Sequence, residues 1–139
     1  MGRKKMIFLH DGIKYIAIRN TGNSNNYLAL ALSDKPCEIE FLPLDLNSTN
    51  PSITKNNIKK QVYEGVIHMQ KNTRKKVNIK KIYYLQSDSY TDSIYKLMII
   101  ELLSRIINHE RFIEINSDPY IKIRGLGSKI TKNSDKLLK

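Results

Sequence analysis

Residues 92–108, "DSIYKLMIIELLSRIIN", carry apolar side chains at 94, 97, 98, 99, 100, 102, 103, 106 and 107. At helical spacing these positions make one wide apolar face and leave Lys96, Glu101, Ser104, Arg105 and Asn108 as a narrow polar stripe. A helix so broadly apolar has to be covered by other elements, and the rest of the chain reads mostly as strands. "KMIFLH" and "IKYIAIRN" flank Asp11–Gly12, a two-residue hairpin signal because both residues tolerate positive φ. "YLALALS" and "CEIEFLPLDL" continue an antiparallel meander, with Pro43 demoting the end of the fourth strand to an edge or bulge. The expected class is α+β: a largely antiparallel or mixed sheet of six to eight strands packed on one long central helix.

After the meander, residues 47–57 form a polar loop that passes into a short helix over "PSITKNNIKKQ", with Pro51 in its first turn. "VYEGVIHMQ" (62–70) and "VNIKKIYYLQ" (77–86) read as a hairpin whose tip is the basic "KNTRKK". Tyr63, Val66 and Met69 do not alternate cleanly, so a helix over 53–70 is the alternative. Beyond the central helix, "RFIEI" and "YIKIRGL" read as strands and "GSKITKNSDKLLK" as a basic tail. This organisation corresponds to one domain over 1–128 followed by a tail over 129–139. With 139 residues the chain can bury roughly 68–70% of its unfolded surface, so its core needs neither disulfides nor metal.

Cys37 is the single cysteine and reads as a buried thiol in a strand. No stretch approaches the ~18 apolar residues of a membrane span, and no N-terminal apolar run resembles a signal peptide. The expectation is a soluble protein of the cytoplasm. Metal chemistry is not expected, because His10, His68 and His109 stand alone without the spacings that bring ligands together. No acid starts a D/E-x-K triplet either, so the usual metal-dependent nuclease arrangement is not legible.

Charge is the strongest compositional signal, with 24 Lys and Arg against 13 Asp and Glu. It concentrates between residues 55 and 81, where Lys55, Lys59, Lys60, Lys71, Arg74, Lys75, Lys76, Lys80 and Lys81 face one acid, Glu64. This window therefore holds eight of the eleven net positive charges. Such a field attracts polyanions, nucleic acid foremost, and Tyr63, Tyr83 and Tyr84 lie close enough in sequence to offer base stacking. Alternation sends Tyr83 and Tyr84 to opposite faces, and Tyr83 is the one expected beside the cations. No helix-turn-helix, zinc-finger or RNA-recognition signature is present, so binding would be driven by the backbone.

The turn "QSDSYTDS" between strand and central helix supports two readings. Ser89 to Asp92 matches a capping box, which by itself accounts for the polar residues. A helix N-terminus also presents unpaired N–H groups to a phosphate. Here the order of "YEGVIHMQ", "IKKIYYLQS", the long helix, "RFIEIN" and "YIKIRGLG", over residues 62–128, resembles the second half of the GNAT acyltransferase superfamily. The resemblance implies that acetyl-CoA would place its pyrophosphate against Thr91, Asp92, Ser93 and Ile94, and that Tyr120 would protonate the leaving thiol.

The leading functional expectation is a binding module without enzymatic activity or cofactor, engaging nucleic acid or another polyanion through residues 55–81. A divergent or inactive GNAT-like acyltransferase using acetyl-CoA is the second expectation. An inhibitor or effector that docks on an acidic protein is the third.

Overall fold

The computed structural model describes residues 6–20, 25–45, 51–88 and 93–118. Short continuous apolar runs build β1 (Met6–His10), β2 (Tyr15–Asn20) and β3 (Asn25–Leu32), the last buried on both faces. They pair antiparallel in chain order, with Phe8 opposite Ala17 and Ile16 opposite Ala29. The β1–β2 connection has four residues, not two. Of Asp11 and Gly12, only Gly12 adopts positive φ, at 92°. Asp11 instead uses its carboxylate, whose Oδ1 accepts from the N–H groups of Ile13 at 2.9 Å and Lys14 at 2.7 Å.

The meander ends at β3. β4 (Glu40–Pro43) does not lie beside it, because β5 (Ile79–Tyr84) inserts between them, antiparallel to β3 and parallel to β4. β6 (Ile113–Glu114) adds parallel to β1, so the order across the sheet is β4-β5-β3-β2-β1-β6. Burial explains the inner place of β5: Ile79, Ile82 and Tyr84 are all buried, whereas β4 ends on a proline that has no N–H for an inner ladder. The sheet is thus mixed and six-stranded among the described residues.

Two helices replace the single central one. Residues 62–70, expected to be a strand, belong to α1 (Lys55–Thr73). Its buried positions Ile58, Gln61, Val62, Gly65 and Met69 recur at helical spacing, which outweighs the strand preference of Val62, Val66 and Ile67. Thr54 caps the helix: its hydroxyl accepts from Asn57 N–H at 3.2 Å, and Asn57 Oδ1 accepts from Thr54 N–H at 3.3 Å. Pro51 therefore lies before the cap, not in the first turn. Arg74 ends the helix in the left-handed region at φ 59°, its N–H donating to the Gln70 carbonyl at 2.9 Å. The basic "tip" is a helix end, not a hairpin.

α2 (Ile94–Ile107) is the helix expected from the apolar face. Both helices pack on one face of the sheet, where Ala17, Leu28, Leu30, Phe41, Ile82 and Tyr84 share a core with Ile58, Val62, Tyr95, Met98, Ile99 and Leu102. On the other face, Leu9, Ile16, Tyr27, Ala29 and Leu85 form a smaller cluster joined by Ile115 and Tyr83. Cys37 is exposed ahead of β4, not buried within a strand. The strand expected over 120–126, Tyr120 and the 129–139 tail lie outside the described residues. No described helix is long and apolar enough to cross a membrane.

Candidate nucleic-acid interface

α1 turns most of the basic window into a straight rod. Its 19 residues span about 28 Å at 1.5 Å per residue. Lys55, Lys59 and Lys60 occupy the first turns, Lys71 the last, and Arg74, Lys75 and Lys76 follow immediately. Four cations thus surround a helix C-terminus, where the backbone dipole presents partial negative charge and favours them. Lys80 is exposed on β5, while Lys81 is half-buried and paired opposite Glu40. None of the nine forms an ion pair with a described residue. The Lys59 ammonium lies over the Phe41 ring, 5.9 Å from its centroid.

The three tyrosines separate. Tyr63 is 38% exposed on α1, one turn beyond Lys59, with its ring 5.8 Å from that of Phe41. Tyr84 is buried beneath the helices. Tyr83 packs on the opposite face of the sheet, 4.9 Å below the Lys14 ammonium. The sheet itself stands between Tyr83 and the α1 cations, so Tyr63 is the aromatic residue that shares their surface. Period-two alternation had pointed to a split between residues 83 and 84, but the helical placement of Tyr63 was hidden by the strand reading of 62–70.

The first turn of α2 is capped by a side chain from α1. Ser89 to Asp92, including Thr91, lie outside the described residues. Ser93 is the N-cap, in the left-handed region at φ 67°, and makes no side-chain capping bond. The role falls to Gln61 of α1, whose Oε1 accepts from the N–H groups of Tyr95 at 2.9 Å and Lys96 at 3.3 Å. These are donors that a phosphate at Ser93 and Ile94 would need.

Asp88 is buried in the same region and accepts from Tyr27 N–H at 2.6 Å and the Tyr95 hydroxyl at 3.1 Å. Asn26 Nδ2 donates to the same hydroxyl at 3.1 Å, and Arg19 donates to Asn26 Oδ1 at 2.9 Å. Burial and the Asp88 charge raise the pKa of the Tyr95 hydroxyl. A second cluster lies across the sheet, where Lys14 Nζ meets Asp118 at 2.8 Å and Asp11 at 3.8 Å. The Tyr27 hydroxyl donates to Asp118; burial, reinforced by that carboxylate, holds its pKa well above the ordinary value. Both clusters join strands to the segments that follow β5 and β6.

The histidines make local contacts. His10 stacks on Tyr15 and meets Glu114 at 3.0 Å, and His68 pairs with Asn72. Among the described residues, no three His, Cys, Asp or Glu side chains converge in a way that could hold a metal ion. What the structure brings together on one surface is Lys55, Lys59, Lys60, Tyr63, Lys71, Arg74, Lys75 and Lys76. No family model, curated protein or solved structure matches the chain.

Proposed function

We propose that this protein is a binding module for nucleic acid that engages the phosphate backbone along α1 and the segment joining it to β5. The observation that carries this reading is the set of exposed cations at both ends of α1, none in an ion pair with a described residue. Cations already neutralised by neighbouring carboxylates would release few counterions on binding; these are available to replace them. The distribution favours contact with a backbone over reading of bases. Lysines dominate, and their charges are flexible points suited to phosphates more than to the fixed edges of bases. Tyr63 adds a face on which one unpaired base can stack.

The direct test is fluorescence polarisation with a labelled mixed-sequence single-stranded oligonucleotide across a range of salt concentrations. With four phosphates engaged, log K should fall against log salt with a slope of about −3, since each single-strand contact contributes about −0.7. Affinity should depend little on base sequence. Absence of binding at low salt, or binding indifferent to salt, rejects the reading.

A further inference from the structure

The outer edge of β4 borders an open groove. β4 is bonded to β5 on one side, and no described residue pairs with it on the other. Residues 38–42, with Lys55 and Lys59 of α1, line a cleft of about 460 Å³. A smaller cleft of about 140 Å³, lined by Pro36, Cys37, Val66, Gln70 and residues 76–79, shares Ile39 with the first. Together they continue the groove along the helix.

The strand register determines what this edge offers. Leu44 N–H donates to the Tyr84 carbonyl at 2.9 Å, so residues two apart, Leu42 and Glu40, also direct their backbone groups towards β5. The N–H and carbonyl of Phe41, and the carbonyl of Pro43, consequently face outward. Pro43 has no N–H, which keeps the edge short and limits continuous strand addition between copies.

The two sides of an added strand would meet different chemistry. On the helix side lie the Phe41 ring, the Lys59 ammonium above it, Lys55 and the exposed Tyr63. On the other side lie Glu40 and Leu42, in register with Lys81 and Tyr83. Carboxylates at every second position of an extended chain would all lie on the helix side, where Lys55 and Lys59 are. Carboxylates at the intervening positions would meet exposed Glu40 first, with half-buried Lys81 one strand further in. We propose that the β4 edge and the first turns of α1 capture an extended acidic peptide as an added strand, with its carboxylates confined to the helix side.

A nucleic acid strand suits this groove less well. It cannot exchange strand hydrogen bonds with Phe41, and for closely spaced phosphates Glu38 and Glu40 in the lining offset Lys55 and Lys59. The peptide site uses the N-terminal end of α1, whereas Lys71, Arg74, Lys75 and Lys76 lie at the other end. Charge reversal at that far end should weaken nucleic-acid binding and leave peptide binding unchanged, which separates failure of one reading from failure of the other.

The test compares two blocked octapeptides of identical composition and charge, one alternating glutamate with threonine and one carrying all glutamates before all threonines. The alternating peptide should bind about tenfold more tightly, because only it can place every carboxylate on one side of a strand. It should slow hydrogen exchange at the Phe41 amide, and Lys55→Glu with Lys59→Glu should abolish the preference. Equal affinity with unchanged Phe41 exchange would reduce the effect to net charge and overturn the proposal. Failure of either peptide to bind at millimolar concentration would do the same, as would protection of Phe41 by an oligonucleotide alone.

Discussion

Gly65 of α1 lies so close to Ile99 of α2 that a β-carbon on it would overlap Ile99 Cγ2 and sit 3.0 Å from the Lys96 carbonyl oxygen. The branched methyl of isoleucine is fixed near its backbone, and the carbonyl belongs to the helix itself, so neither can move aside freely. Glycine at this point sets the distance between the two helices, and with it the position of the basic rod.

Gly65→Ala should therefore destabilise the protein, although alanine is the better helix former. Overpacking of this kind costs about 1–3 kcal/mol, against a gain of roughly 1 kcal/mol in helix propensity. Urea denaturation should give a lower midpoint for the variant. A higher midpoint would mean that the helices are not held at this separation.

Lys14 and Asp118 form a buried pair that joins the β1–β2 connection to the segment after β6. Replacing Lys14 with methionine removes this ammonium from beside a buried carboxylate, which should cost up to about 3–5 kcal/mol. Replacing both, as Lys14→Met with Asp118→Leu, should cost less than the two single changes added together. Strict additivity in that cycle would show that the pair is not coupled.

Alkaline pH should weaken the fold through Tyr27 and Tyr95. Both hydroxyls have raised pKa values when folded, chiefly from burial and then from the nearby carboxylates Asp118 and Asp88 respectively. Above about pH 10 an unfolded tyrosine loses its proton while these two keep theirs, so the unfolded state binds fewer protons and stability falls. Each contributes up to about 1.4 kcal/mol per pH unit until its folded pKa is reached. The decline in denaturation midpoint should be shallower in Tyr95→Phe, and an identical decline would contradict this assignment.

The first three strands were legible because short apolar runs such as Tyr15–Ile18 and Tyr27–Leu32, bounded by turn residues such as Asp11 and Gly12, are too short for a buried helix and fit a strand covered on both faces. α2 was legible for the complementary reason, a broad apolar face at helical spacing. α1 was misread because two of its core positions are Gln61 and Gly65, neither of which registers as apolar. Gln61 is buried because it caps α2, and Gly65 because α2 passes over it. Both reasons depend on residues more than thirty positions away. The same limit hid the β4–β5 pairing and the roles of Asp88 and Asp118, whose partners are set by topology. The cations of residues 55–81 were visible from charge alone, but their arrangement along a rod, and the separation of Tyr83 from it, required the helix.

If the cations at the C-terminal end of α1 contact phosphates as proposed, they set the salt dependence of binding. Arg74, Lys75 and Lys76 should be replaced together by glutamate, and the slope of log K against log salt compared with the unmodified protein on the same single-stranded oligonucleotide. Losing three contacts should weaken binding and reduce the slope's magnitude by about 2. An unchanged slope and affinity would place nucleic acid elsewhere on the protein, or nowhere on it.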